Sequence, residues 1–486
     1  MLSWFSPIVL GFVSTPILVQ GLGVETYGVY ALILGFLSYS FTFGIGRAAS
    51  KYVAEYTASG ETELLSKSLS AVLIFSVVVG AVGAVVLALV TPYVVSDVLQ
   101  LPENLRPSAE TGLYIACVTG LMTMISMVFQ ATLQGSHRFG TYLTVSSLGA
   151  VTLSAGNIAL ALSGYGIEAL IAWSLFSTLT IGIIFFVAAL YAVPDFRLTL
   201  SIGGDMTKTV VRYGSSIILY QIFANALYIL ERTIVVRRFG PEGLTYYAVP
   251  MLLGIYLHGA ISSFVLAFFP RMNELLDDCE ELVRLYKKVN RPVIALIVLT
   301  ATSLIINGEQ FLALWVGVKL SEMASGVLVF HVLTFSLIGA GLIAWQIAES
   351  YKAAGINVAL TFIWMVVAGG LLLTVIDRNY GIEGVAAAKL IPVALTIPVI
   401  LFIEKRFLGS VQTGHWMMLL ARTGLAGLCM AAFQITTIKL IFGGWPQLLI
   451  SITGGSAVYA IVLFLSGFFE DDEVERVRSF FPIRFD

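Results

Sequence analysis

Gln221, Asn225, Tyr228 and Arg232 follow one another at steps of 4, 3 and 4 within an otherwise apolar stretch. That spacing puts two amides, a phenol and a guanidinium on one face of a helix. Glu231 directly precedes the arginine, and Arg237 and Arg238 follow near the helix end. Two readings fit. In one, this face is a cavity wall whose cations meet an anionic head group. In the other, Glu231 and Arg232 pair with neighbouring helices, while Arg237 and Arg238 extend to an interface. Lys389 stands seven residues into another apolar stretch, with Glu383 near its start; it reaches the outer interface or faces a cleft. Arg47, after Gly44-Ile45-Gly46, is either a charge anchor or an entry contact for a phosphate.

Other polar rows are weaker signals. Thr119, Thr123, Ser126, Gln130 and Gln134 form a second helical stripe, read equally as a cavity wall or as hydrogen-bonded glue between helices. Ser147, Ser154 and Asn157 read as packing residues, as do His258, Ser262 and His331, with a proton relay as the alternative for the last group. Reactive motifs are missing: there is no phosphate-binding G-x-x-x-x-G-K-[ST], no H-E-x-x-H and no G-x-S-x-G. The three cysteines and four histidines have no ligand spacing. No catalytic residue, metal or cofactor is expected, and the chain does not read as an enzyme.

The elements that must position these residues follow from composition. Of 486 residues, 58% are hydrophobic and 12% charged, with 27 basic and 29 acidic side chains; the mean hydropathy is +0.93. Soluble proteins carry about 25% charged residues, so the solvent here is lipid. Soluble enzymes, nucleic-acid binders and disordered chains are excluded together.

A helix needs about 20 apolar residues to cross the hydrocarbon. That length predicts an all-α polytopic membrane protein with fourteen spans, near 2–20, 26–46, 68–91, 109–133, 141–163, 167–193, 211–234, 245–269, 291–315, 324–349, 357–377, 382–403, 415–441 and 446–467. The first, Leu2–Gln20, lacks a basic leader and reads as a span rather than a signal peptide, with a start further upstream left open. Placing both termini in the cytoplasm puts 19 of the 27 basic residues at the inner face, as the positive-inside rule asks. The remaining eight include Arg232, Arg237, Arg238 and Lys389. The segment Glu274–Tyr286 reads as an amphipathic helix along the cytoplasmic interface.

The chain also repeats. Gly23-Val-Glu25 with Tyr30-Ala31 recurs as Gly240-Pro-Glu242 with Tyr247-Ala248, an offset of 217. Tyr165-Gly-Ile-Glu168 recurs as Tyr380-Gly-Ile-Glu383, an offset of 215. The repeat unit is six spans, so its copies are parallel. The expectation is a six-helix lobe over 1–205, a second over 206–410, and two further helices with a cytoplasmic tail over 411–486. A cleft between the lobes would open alternately to each side.

The stretch Gly23-Val-Glu-Thr-Tyr27-Gly28-Val-Tyr30-Ala31, then Phe43-Gly-Ile-Gly46-Arg47-Ala48 and Val53-Ala54-Glu55, resembles the start of Wzx-type polysaccharide flippases. Leu230-Glu231-Arg232 and Phe239-Gly240-Pro241-Glu242 extend the resemblance to the multidrug/oligosaccharidyl-lipid/polysaccharide (MOP) exporter superfamily. The resemblance implies translocation of a polyprenyl-pyrophosphate-linked oligosaccharide across the cytoplasmic membrane by alternating access. It implies a cationic cavity, for which Arg47, Arg232 and Lys389 are the best matches, and partners limited to the substrate, membrane lipids and polysaccharide-assembly proteins. Gln221, Asn225 and Tyr228 would bond sugar hydroxyls and Glu231 would couple an ion, although family members often carry Asp there. A MATE-like drug–cation antiporter is the alternative, disfavoured by an acid-free first span. A polymerase or transferase of the same pathway lacks the acidic outer loop it would need.

Overall fold

The computed structural model describes residues 2–40, 45–194, 197, 199, 204–374, 380–441 and 443–469. Among these the chain is helical without strands. The helices are α1 (Leu2–Leu22), α2 (Val24–Ser40), α3 (Ile45–Ser59), α4 (Thr62–Tyr93, extended by a π-turn), α5 (Arg106–Gly135), α6 (Phe139–Leu162), α7 (Ile167–Ala192) and α8 (Gly204–Leu266). They continue as α9 (Phe269–Glu274), α10 (Cys279–Val316), α11 (Val318–Ser350), α12 (Gly355–Thr374), α13 (Gly381–Val393), α14 (Thr396–Phe407), α15 (Thr413–Leu440) and α16 (Trp445–Leu465).

Eleven helices among the described residues are long and apolar enough to cross a membrane, and Ile8–Leu22 and Val24–Leu37 are shorter apolar helices. Leu89 (77% exposed), Leu428 (71%) and Leu465 (76%) point away from the protein. Water would penalise such outward leucines, whereas lipid accepts them. The chain is an all-α, multi-pass membrane protein.

Glycine sets the breaks. Gly23 (φ +81°) separates α1 from α2. Gly240 (φ +76°, ψ 177°) splits α8 into two arms, and Pro241 opens the second. That backbone angle pair belongs almost wholly to glycine, and proline's fixed φ suits a helix start. Gly240→Ala is therefore expected to cost about 1–3 kcal/mol, read as a lower unfolding midpoint of the detergent-solubilised chain. The other repeated turn differs between copies: Gly166 is extended (φ −77°), while Gly381 is left-handed (φ +64°).

Packing divides the chain into two compact units, Met1–Val249 with Thr361–Ala388, and Pro250–Leu360 with Lys389–Asp486. In the first, α5 packs on α2, α3, α4 and α7, burying Tyr52, Val53, Leu69, Met124 and Val128. Asn157 on α6 donates to the buried Tyr30 hydroxyl on α2 (3.1 Å), a packing role as the sequence suggests. Thr119 and Thr123 bond carbonyls one turn back on α5, which satisfies those hydroxyls within their own helix.

In the second unit α10 lies against α11, α15 and α16, and Ile261, Met272, Tyr286, Ile294, Ile347 and Met430 fill the core. The amphipathic segment differs from expectation. Asp278 caps a new helix by accepting from the Glu281 amide (3.0 Å), so Cys279–Tyr286 forms the first turns of α10. Leu282 and Tyr286 enter the core.

Glu404 on α14 is fully buried. Its carboxylate accepts from the Tyr286 hydroxyl (2.7 Å), the Trp416 indole (2.6 Å) and the Gln412 amide (2.9 Å). Three donors thereby tie α10, α14 and the start of α15 to one acid. Glu404→Leu would strand all three and is expected to destabilise by about 3 kcal/mol or more. Thermal unfolding followed by tryptophan emission reads this loss.

Candidate functional site

In the first unit the site grows from a close approach of backbones. Gly28 on α2 meets the α8 break so tightly that a Cβ there would lie 1.9 Å from the Pro241 carbonyl oxygen. Thr245 seals the joint by donating to the Val24 carbonyl (2.6 Å). The first α8 arm then runs back along α2. A Cβ on Gly35 would sit 2.8 Å from the Arg232 Nε, so the missing side chain makes the room that the guanidinium occupies.

Arg232 is only 8% exposed and Glu231 is fully buried. The Tyr247 hydroxyl, from the second arm, donates to Glu231 Oε2 (3.2 Å). Ionisable groups held inside membrane segments mark functional sites by default. Asn225 and Tyr228 are half-buried along the same arm, and the Phe223 ring there meets Phe362 with centroids 5.0 Å apart. Near the break, Arg237 is exposed and Arg238 half-buried. The side chains of Arg47 and Gln221 lie outside the described residues.

In the second unit Lys389 is buried at 3% exposure, with Nζ 5.7 Å from the Phe335 ring centroid. The ring face carries partial negative charge and attracts the ammonium. His258 stands on the same ring, centroids 6.0 Å apart, and Gly254 admits it, since a Cβ would lie 2.4 Å from the phenyl carbon Cδ2. Glycine spacing thus places a cation in each unit.

Sequence reasoning did not single out Gly28, Gly35, Tyr247 or Phe335 as site-forming. Tyr247 is one of the repeated residues, whereas Gly28 lies between Glu25 and Tyr30 of the first copy and has Thr245 at its place in the second. Gly35 and Phe335 have no signal of their own, because a gap or a ring gains meaning only from the residue packed against it.

These features define a multi-pass membrane protein with buried cations and a broken helix. Residues 17–325 match the family model described as "Polysaccharide biosynthesis protein", and the chain belongs to that family. A relative from Shigella flexneri, the "Putative O-antigen transporter", is 19% identical over 397 residues, 80% of this chain and 92% of its own length. Among solved structures, the lipid II flippase MurJ in an inward closed conformation matches with a TM-score of 0.75 at 14% identity, covering 95% of this chain and 97% of that one. An inward-facing multidrug-resistance MATE family transporter of the MOP superfamily matches with a TM-score of 0.69 at 16% identity, covering 82% and 94%. At these identities the structural likenesses show the fold.

Proposed function

We propose that this protein moves a polyprenyl-pyrophosphate-linked oligosaccharide from the inner to the outer leaflet of the cytoplasmic membrane by alternating access, supplying cell-surface glycan assembly. Membership of the polysaccharide biosynthesis family is the observation that carries this reading. The buried Arg232 and Lys389 support it, because a phosphate dianion needs cations held away from competing water. In this reading Arg232 and Lys389 neutralise the pyrophosphate. Asn225, Tyr228 and Gln221 bond sugar hydroxyls, while Arg47, Arg237 and Arg238 guide the head group. Glu231, held by Tyr247, takes up a coupling proton or sodium ion.

The chain acts as a carrier and catalyses no bond change. It has fourteen spans with both termini inside, in repeat units 1–205 and 206–410 followed by 411–486. The matching left-handed breaks at Gly23 and Gly240 support the repeat. Complementation of a strain lacking its flippase tests the assignment. The wild-type chain is expected to restore surface glycan, and Arg232→Ala and Lys389→Ala are each expected to fail. Full restoration by both variants would defeat the cavity assignment.

A further inference from the structure

The second unit also holds a cavity of about 590 Å³, lined without Lys389, whose wall is strongly basic. α10 contributes Arg284, Lys287, Lys288 and Arg291, and α15 contributes His415 and Arg422. On α10 these residues recur at one-turn spacing on a single face, opposite the buried Leu282, Tyr286, Val289 and Val293. On α15 they stand two turns apart.

We propose that this cavity binds the phosphate headgroup of an anionic membrane phospholipid. Charge balance is the first support. Glu281 pairs with Arg284 (3.1 Å) and Arg271 with Glu274 (2.8 Å). The buried Glu404 accepts from three donors, none of them a lysine or arginine. Among the described residues no carboxylate pairs with Lys287, Lys288 or Arg422.

Construction is the second support. Arg422 donates to the Gly467 carbonyl (2.6 Å), and Arg291 donates to the Phe468 carbonyl with its guanidinium 5.2 Å from the Phe468 ring centroid. Two arginines are thus tied into the wall of a concave site. Phe468, Phe469 and Met418 line the same cavity and give acyl chains an apolar wall beside the cations. A basic pocket between membrane helices is the arrangement that recognises anionic lipid headgroups, and the volume suits one. The inference is independent of which substrate the buried Arg232 and Lys389 serve.

The acidic run Glu470-Asp471-Asp472-Glu473-Val474-Glu475 follows these lining residues in the sequence, so the test must separate it from lipid. Native mass spectrometry of the detergent-solubilised full chain reads retention of added dioleoyl-phosphatidylglycerol against dioleoyl-phosphatidylcholine. The wild-type chain is expected to retain the anionic lipid selectively. Lys288→Gln with Arg422→Gln is expected to weaken retention about thirtyfold, while Lys439→Gln, at the far end of α15, leaves it unchanged. Lys287→Gln with Lys288→Gln spares both tethered arginines, folds as the wild type, and is expected to weaken retention to a similar degree. Equal retention of both lipids, or unaltered retention in both double variants, overturns the proposal. Retention that appears only after the five acids at 470–475 are neutralised assigns the cavity to the chain's own tail and overturns it as well. Retention of undecaprenyl pyrophosphate without phosphatidylglycerol assigns it to the transported lipid, with the same consequence.

Discussion

Arg232→Ala is expected to lower surface glycan by about thirtyfold or more in a flippase-null strain, since removing one partner of a buried charge contact costs about 2 kcal/mol at the low end. Removing one partner of a buried charge contact also destabilises the fold, by about 3–5 kcal/mol, so export is read per amount of chain in the membrane, measured by immunoblot. Arg232→Lys keeps the charge but loses the planar fork that meets two phosphate oxygens together, so partial export is expected. Gly35→Ala offers an independent route to the same group. Its methyl carbon would stand 2.8 Å from the Arg232 Nε and must displace the guanidinium. Export should fall while the unfolding midpoint stays near that of the wild type. In the Arg232→Ala background the added methyl should have little further effect, since both changes act on one contact. Additive losses would show that Gly35 acts elsewhere.

Gly28→Ala is expected to be the most damaging single methyl in the first unit. The new Cβ would fall 1.9 Å from the Pro241 carbonyl oxygen, and a backbone atom cannot rotate away as a side chain can. Relief requires α2 to move off the α8 break, which would also strain the Thr245 bond to Val24. Overpacking of this kind costs about 3 kcal/mol, and the unfolding midpoint should drop by about 5 °C or more. Gly140 provides the control: nothing lies within 4 Å of a Cβ there, so Gly140→Ala should leave the midpoint nearly unchanged. An unaltered melt for Gly28→Ala would mean that α2 and the break are not packed as described.

Much of this was legible in the sequence, for identifiable reasons. Lipid as solvent follows from scarce charge, and the helical spans follow from apolar length. The repeated Gly-x-Glu turns at Gly23 and Gly240 mark positions where the backbone leaves the range open to other residues. Glu231, Arg232 and Lys389 stand inside apolar stretches and are buried. Periodicity over 274–286 marks an apolar face but not the residue at which the helix starts. The Asp278 cap decides where that helix begins. Gly35 was silent because its role is an absence, readable only once Arg232 lies against it. The basic cavity was missed for a different reason. Lys287, Lys288, Arg291 and Arg422 each satisfy the positive-inside rule singly, and their convergence depends on α10 meeting α15, contacts distant in sequence that no spacing reveals.

Carriage of a lipid-linked oligosaccharide between leaflets is the proposed activity on which the roles of Arg232 and Lys389 depend. Transbilayer movement in proteoliposomes measures it most directly. Vesicles loaded with a fluorescently tagged polyprenyl-pyrophosphate oligosaccharide are treated with an external glycosidase, and the accessible fraction is followed over time. With the wild-type chain the cleaved fraction should climb past the outer-leaflet share toward completion, while Arg232→Ala vesicles should stay at the level of protein-free vesicles. A wild-type fraction fixed at that protein-free level, in vesicles where the same chain drives exchange of organic cations, would contradict the account and favour a drug–cation antiporter.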